Sequence, residues 1–203
     1  MFGVLQQLSI ISVAYVYTGL YLKCRLQPET KIPSLLNAIV CSAGSVSCYL
    51  FPCTIDMFIV LFYGYIYWDL VHNIIEYKTL RDTSGIIHHW LFIVALLVAP
   101  RDDCVLETVW WLLAGEISTV FLQIRNMLRS NKLTNGKLYK DVSKMFVVTF
   151  IPTRVFLFGW GLIDTWINCY RVAFFALCLP YALNLVWALY IVKRVVAYRV
   201  DDE

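Results

Sequence analysis

Charged side chains are scarce in this chain. Asp, Glu, Lys and Arg make up 15% of its 203 residues, whereas soluble domains carry about 25%. The net charge is +3, and no basic run is dense enough to indicate nucleic acid binding. Hydrophobic residues supply 60% of the chain, and its mean hydropathy is +0.68. This composition excludes a soluble globular domain, a disordered chain and a collagen-like repeat, and it predicts an integral membrane protein.

Several catalytic and metal-binding motifs are also missing. The seven cysteines form no C-x-x-C pair, and the G-x-S-x-G elbow of a serine hydrolase does not occur. The three histidines are too few for a histidine-box di-iron enzyme. A zinc site built from His72, His88 and His89 would take two ligands from adjacent helix positions, which is poor geometry. We therefore expect neither a metal ion nor another resident cofactor.

Long apolar runs are what the sequence has in abundance. A helix needs about 20 apolar residues to cross the hydrocarbon layer, and open strands are disfavoured because lipid cannot satisfy their backbone polar groups. The pattern predicts an all-α, polytopic transmembrane helix bundle of about seven helices. Six helices with one re-entrant segment is the alternative. The predicted spans are Phe2–Leu22, Pro33–Phe51, Ile55–Ile75, Gly85–Ala99, Cys104–Gln123, Val142–Ile163 and Tyr170–Val192.

The basic residues predict the orientation of this bundle. Fourteen of the 17 Lys and Arg residues fall on alternate connections and on the C-terminal end. Arg101 and Arg171 lie on the opposite side, and Arg154 lies inside a predicted helix. Because cytoplasmic loops carry the excess of Lys and Arg, we expect a cytoplasmic C-terminus and an exterior N-terminus.

The predicted spans divide the chain into three parts. Residues 1–30 form an N-terminal transmembrane anchor with a cytoplasmic connection, residues 31–196 form the main transmembrane domain, and residues 197–203 form a short cytoplasmic tail. Cys53, Cys104 and Cys169 fall near the exterior ends of predicted helices. One disulfide among them would fit an oxidising lumen, but the sequence alone does not define a pairing.

Polar side chains inside the apolar runs mark the candidate site, because an unpaired charge in hydrocarbon costs several kcal/mol. Tyr65, Asp69 and His72 are spaced by four and three residues, which places them on one helix face. The next predicted helix opens with His88 and His89. The remaining polar residues in the runs and at their ends are Glu116, Ser118, Thr119, Gln123, Arg125, Arg154 and Asn184.

Each of these residues also has a purely structural interpretation. Arg154 could pair with Glu116 or with Asp69, and such a buried pair need not be catalytic. Arg125 is close enough to the interface to snorkel, and Asn184 could simply bridge two helices. His88 and His89 project about 100° apart and should have different neighbours. The chemistry left to them is general acid–base catalysis or headgroup binding.

In their order along the chain, these polar landmarks resemble the TLC-domain family. That family includes the ceramide synthases, the translocating-chain-associated membrane proteins and a set of small TLC-domain-only proteins, to which the likeness is nearest. The resemblance covers roughly residues 31–196. It rests on Gly64-Tyr65 with Asp69, His88-His89, the segment from Glu116 to Arg125, Phe150 with Arg154, and Leu183-Asn184 with Trp187.

One departure bears on the chemistry. The ceramide synthases carry a His-Asp-x-x-Asp element that falls where this chain has Gly115-Glu116-Ile117-Ser118-Thr119. The second catalytic histidine of those acyltransferases is therefore absent at Gly115. His88 and His89 match the retained histidine pair.

The resemblance implies a multi-pass protein of the endoplasmic reticulum, with the plasma membrane as the alternative. It would handle or regulate phospholipid or sphingolipid composition, including ceramide, and thereby lipid homeostasis, with membrane lipids as its partners. His88, His89 and Asp69 would be the catalytic candidates. A polar cavity would be lined by Tyr65, His72, Glu116, Ser118, Thr119, Gln123, Arg125, Arg154 and Asn184.

Two other functions fit the same resemblance. The first is an acyltransferase of the ceramide synthase type, in which acyl-CoA is the co-substrate and a histidine is the general base. The second is a non-catalytic cargo receptor or translocon accessory of the endoplasmic reticulum. A second copy of the chain or another membrane protein is a further expected partner.

Overall fold

The computed structural model describes residues 4–24, 32–51, 55–75, 83–98, 110–169 and 171–200. Within these ranges the chain is helical and contains no strand. The helices are α1 (Val4–Cys24), α2 (Ile32–Leu50), α3 (Ile55–Ile75), α4 (Thr83–Val98), α5 (Glu116–Ser130), α6 (Lys137–Phe150), α7 (Phe158–Asn168) and α8 (Arg171–Val200).

We call each uninterrupted run of helical residues a rod, and two rods contain a local departure from α-helical geometry. A π-helical segment, Ile151–Leu157, joins α6 to α7, and residues 110–114 lead through a turn at Gly115 into α5. The described ranges therefore hold seven rods, one for each predicted apolar run, which confirms the all-α bundle. The structure extends α5 to Ser130 and starts α6 at Lys137, because backbone hydrogen bonding continues beyond the apolar stretch into basic residues with good helix propensity.

The surface of the bundle is that of a membrane protein. In the described ranges, three helices are long and apolar enough to cross a membrane, namely Ile32–Leu50, Lys137–Asn168 and Arg171–Val195. Phe156, Trp160, Ile163 and Ile167 follow one outer face of the last turns of the sixth rod, and each is at least 56% exposed. A continuous apolar stripe of this kind is unfavourable in water and matches contact with lipid.

Small residues explain how closely α2 packs in the bundle. Its buried face carries Ser34, Ala38, Cys41, Gly44 and Ser45, and small side chains let helix backbones approach in lipid. A side chain on Gly44 would collide with the ring of Phe58 on α3. The hydroxyl of Ser45 donates to the backbone oxygen of Trp110 at 2.8 Å. This hydrogen bond attaches α2 to the start of the helical stretch that leads into α5.

Gly161 on α7 offers a test of this packing. A Cβ there would overlap the ring of Trp111, which is fully buried, so Gly161→Ala is expected to destabilise the bundle by about 1–3 kcal/mol. Thermal unfolding in detergent, followed by tryptophan fluorescence, measures the change. The matched control is Gly19→Ala on α1, where a Cβ meets nothing within 4 Å and the gain in helix propensity is favourable by up to about 1 kcal/mol. Equal melting of the two variants would contradict the packing account.

Of the three cysteines considered for a disulfide, the structure describes one. Cys169, in the connection between α7 and α8, is disulfide-bonded, and Cys53 and Cys104 lie outside the described residues. Cys41, Cys48 and Cys178 form no disulfide. The connections between predicted spans at residues 52–54 and 100–103, and the end of the tail at residues 201–203, also lie outside the described residues.

Candidate functional site

Asp69 on α3 and the partly buried His89 on α4 form a pair. Nδ1 of His89 lies 2.9 Å from Oδ2 of Asp69. Asn73, one turn further along α3, donates from Nδ2 to the same carboxylate oxygen at 2.7 Å. Asp69 and Asn73 are both buried. Because Oδ2 contacts both the amide and the imidazole, the orientations of Asp69 and His89 are coupled.

Aromatic rings pack beside the Asp69–His89 pair. Tyr65 meets the imidazole of His89 edge-on, with ring centroids 6.1 Å apart. Tyr17 from α1 contacts Tyr65 at 5.4 Å and stacks on Trp68 at 5.7 Å. His72 stacks on Trp68 at 5.3 Å, with 18° between the ring planes. His72 is therefore part of the aromatic wall beside the Asp69–His89 pair.

Arg154 approaches from the π-helical segment. Pro152, at the start of that segment, lacks an N–H and disfavours regular α-helical bonding. Short π-helical stretches are rare and occur frequently at functional sites. Arg154 lies within this stretch and is buried.

The segment from Gly115 to Thr119 surrounds the guanidinium of Arg154, and we call these residues with Arg154 the arginine cluster. Nε donates to the backbone oxygen of Gly115 and to Oγ of Ser118, both at 3.1 Å. Nη2 donates to Oε1 of Glu116 at 3.2 Å and to Oγ1 of Thr119 at 2.8 Å. Of the two predicted partners, Arg154 is thus paired with Glu116. The carboxylate and hydroxyls offset the cost of burying the guanidinium.

Gly115 has a steric role in this cluster. A Cβ at this position would lie 3.1 Å from the backbone oxygen of Leu112, and 3.7 and 3.8 Å from two carbons of Arg154. The backbone oxygen is the tight contact, whereas the two distances to Arg154 are ordinary van der Waals distances.

His88 has neighbours different from those of His89, as the helix geometry predicted. Its ring contacts Phe92 at 4.8 Å and Trp187 on α8 at 5.0 Å. Nδ1 of His88 is buried and has no hydrogen-bond partner among the described residues. His88 interacts electrostatically with Arg154 and with His89, and Tyr65 interacts with Asp69 and Glu116. The Asp69–His89 pair and the arginine cluster are therefore parts of one polar region.

The remaining predicted residues have distinct environments. Arg125 donates from Nε to Ser143 at 3.2 Å and lies 5.5 Å above the ring of Tyr139, so it ties α5 to α6. Oε1 of Gln123 is buried without a hydrogen-bond partner in the described ranges. Asn184 is fully buried, and neither of its amide atoms is bonded to a described residue. The predicted bridging role of Asn184 is thus not observed.

Two residues of this region, Asn73 and Asn37, were not predicted from the sequence. Asn73 follows Asp69 by four residues, a spacing at which side chains on a helix meet, so its contact could have been anticipated. Asn37 accepts a hydrogen bond from the hydroxyl of Tyr17 at 3.1 Å. That contact joins α1 to α2 across a sequence separation of 20 residues, and no local signal indicates it.

Comparison with known proteins agrees with this architecture. The family model for the TLC domain matches residues 34–195. The chain is 26% identical to "TLC domain-containing protein 4 A" of Dictyostelium discoideum, over 86% of this chain and 76% of that protein. No solved structure matches this chain. Because the family match covers most of its length, the chain belongs to the TLC domain family of membrane proteins.

Proposed function

We propose that this protein handles or regulates the phospholipid or sphingolipid composition of its membrane through its buried polar region. The observation that carries the proposal is the Asp69–His89 pair, with 2.9 Å between carboxylate and imidazole, held by Asn73 inside a bundle with an apolar outer surface. Ionisable residues at such depth are expensive to bury and mark functional sites in membrane proteins. Membership of the TLC domain family, which is linked to lipid metabolism or its regulation, supports the same function.

In this proposal the two parts of the site have different tasks. Asp69 orients the imidazole of His89 through Nδ1, so proton exchange with a bound lipid falls to Nε2, the other ring nitrogen. The buried guanidinium of Arg154 is fixed in position by Glu116, Ser118 and Thr119, so the arginine cluster presents an immobile, charge-paired group to a headgroup. In such surroundings a fixed charge acts more strongly on a polar headgroup than it would in water.

The test of this function is a comparison of lipid composition in cells that lack the protein and in cells that express it. We expect expression to change the proportions of phospholipid or sphingolipid classes, measured by mass spectrometry of total lipid extracts. The control is an equal amount of an unrelated multi-pass protein, which corrects for membrane crowding. Identical lipid profiles in the two cell lines would count against the proposal.

An acyltransferase is the second candidate, and the Asp69–His89 pair is the observation that favours it. A carboxylate-oriented imidazole can accept the proton of a hydroxyl or amine as that group attacks the thioester of acyl-CoA. An ester or amide then forms, the thioester bond breaks and coenzyme A leaves as the thiol. Because residue 115 is glycine, His89 would carry the base function. Purified protein with labelled acyl-CoA and either a lysophospholipid or a sphingoid base should release coenzyme A if this candidate holds.

We further propose that the protein resides in the endoplasmic reticulum, with its N-terminus in the lumen and its C-terminus in the cytoplasm. The distribution of Lys and Arg supports this orientation. The disulfide at Cys169 supports it independently, because disulfides persist in oxidising compartments and the connection between α7 and α8 lies on the predicted lumenal side.

Epitope tags at the two ends test this orientation. After selective permeabilisation of the plasma membrane, an antibody should reach the C-terminal tag and fail to reach the N-terminal tag. Full permeabilisation provides the control, because both tags should then stain. Two tags on the same side would show an even number of spans and would reverse the assignment of several connections.

A further inference from the structure

Asn184 lies on the buried face of α8. That face carries Ala173, Leu177, Pro180, Asn184 and Ala188, all buried at helical spacing. Asn184 has no exposed surface, yet neither its Nδ2 nor its Oδ1 has a hydrogen-bond partner among the described residues. A donor and an acceptor are thus enclosed in the bundle without a described partner.

His88 on α4 reaches the same region. Its ring lies 5.0 Å from that of Trp187, which follows Asn184 by three residues and so neighbours it on the helix surface. Nδ1 of His88 is also buried and unbonded among the described residues. The interface of α4 and α8 therefore carries three buried hydrogen-bonding atoms, on His88 and Asn184, that have no partner among the described residues, and the rings of Phe92 and Trp187 lie beside His88.

Unpaired polar groups of this kind are destabilising when buried. Native structures retain few of them, and each needs an explanation such as a bound ligand or water. Asn184 carries no charge and can donate and accept at once. Arg154, the nearby cation, is already held by Glu116 at 3.2 Å. A partner that satisfies both amide atoms of Asn184 must donate and accept a hydrogen bond, as a lipid hydroxyl or a water molecule does.

We propose that Asn184 and His88 form a subsite for the free hydroxyl of a neutral lipid. Nδ2 of Asn184 donates to the hydroxyl oxygen, and either Oδ1 of Asn184 or Nδ1 of His88 accepts the hydroxyl proton. The acyl chains of the lipid lie against the apolar rings beside the two residues. This inference rests on the proposed lipid function and extends it by naming the class of lipid.

Photo-crosslinking of the full-length protein in lipid nanodiscs tests the subsite. The probe is a diacylglycerol that carries a diazirine and an alkyne, and the matched probe is the same molecule with its hydroxyl methylated. We expect the hydroxyl probe to label the wild-type protein about tenfold more than its methyl ether, the factor that one hydrogen bond can supply. Asn184→Leu and His88→Phe should abolish this preference. Leu189→Ala, at an exposed position of α8, should retain it.

Stability gives a second and independent readout. Because Asn184→Leu removes an unpaired polar group, we expect this variant to melt about 2–4 °C higher than the wild type in the absence of probe. A lower melting temperature, or failure of the variant to accumulate, would show that Asn184 makes structural hydrogen bonds and would overturn the subsite. Equal labelling of wild type by the two probes, or a preference that survives Asn184→Leu, would also overturn it.

The outcomes separate this subsite from the proposed function. Expression that leaves cellular lipids unchanged, together with an intact hydroxyl preference, counts against the proposed function alone. Expression that changes cellular lipids while the wild-type protein shows no hydroxyl preference counts against the subsite alone.

Discussion

Replacing Arg154 with alanine is expected to remove most of the folded protein. Glu116 would keep a mostly enclosed carboxylate, with its side chain 12% exposed, and would lose its countercharge. Breaking one partner of a buried pair costs about 3–5 kcal/mol, a large part of the total stability of a typical domain. The hydroxyls of Ser118 and Thr119 would lose their donor as well. Immunoblots of tagged protein and thermal unfolding in detergent measure the loss.

Two further variants make this result specific to the buried pair. The double variant Glu116→Leu with Arg154→Met is expected to recover much of the abundance, because neither charge remains to be compensated. Arg171→Ala is the matched arginine control, since Arg171 is exposed and contacts only Trp166 among its described partners, at 5.4 Å. The account fails if Arg154→Ala accumulates and melts like the wild type, or if the double variant is worse than either single one.

Asp69→Asn is expected to lower the lipid activity per molecule by an order of magnitude or more while the protein stays abundant. The substitution nearly preserves the shape of the side chain, but an amide can donate to Nδ1 of His89 and hold the imidazole in the wrong tautomer. Loss of the carboxylate in the related arrangement of serine proteases has a large effect for this reason. The measurement is the lipid change at matched protein abundance.

Variants at two neighbouring positions provide comparisons for the loss of activity in Asp69→Asn. Asn73→Leu removes the 2.7 Å hydrogen bond to Oδ2 of Asp69 and should reduce activity less than Asp69→Asn does, because the carboxylate is kept. Trp90→Ala, next to His89 but 56% exposed on the outer surface, should leave activity unchanged. Full activity of Asp69→Asn would show that the carboxylate does not orient the histidine.

The fold was largely predictable because hydropathy and helix length are local properties. The run Ile55–Ile75 coincides with α3, and each other apolar run corresponds to a rod. The interruptions were harder to anticipate. Pro152 signals a disturbed helix, but whether the chain responds with a kink, a break or a π-helical stretch depends on what packs around it. Here the π-helical segment holds Arg154 within reach of α5.

The candidate site was predictable as a set of residues but not as a set of pairs. Burial cost identifies Asp69, His89, Glu116 and Arg154 from sequence alone. Their pairing depends on the packing of helices distant in sequence, so the choice between Glu116 and Asp69 as partner of Arg154 required the structure. The same holds for Asn184, whose amide suggested an interhelical bridge and is instead unbonded to any described residue.

The most direct test of the central claim is the lipid composition of cells that express His89→Ala at the same abundance as the wild type. His89→Ala keeps the hydrogen bond from Asn73 to the carboxylate of Asp69 and leaves the Arg154–Glu116 pair intact, so we expect the variant to fold. If the Asp69–His89 pair is the functional centre, we expect the lipid change produced by the wild type to disappear in the variant. A full lipid change in His89→Ala would contradict the account and would favour a receptor or scaffold role for the bundle.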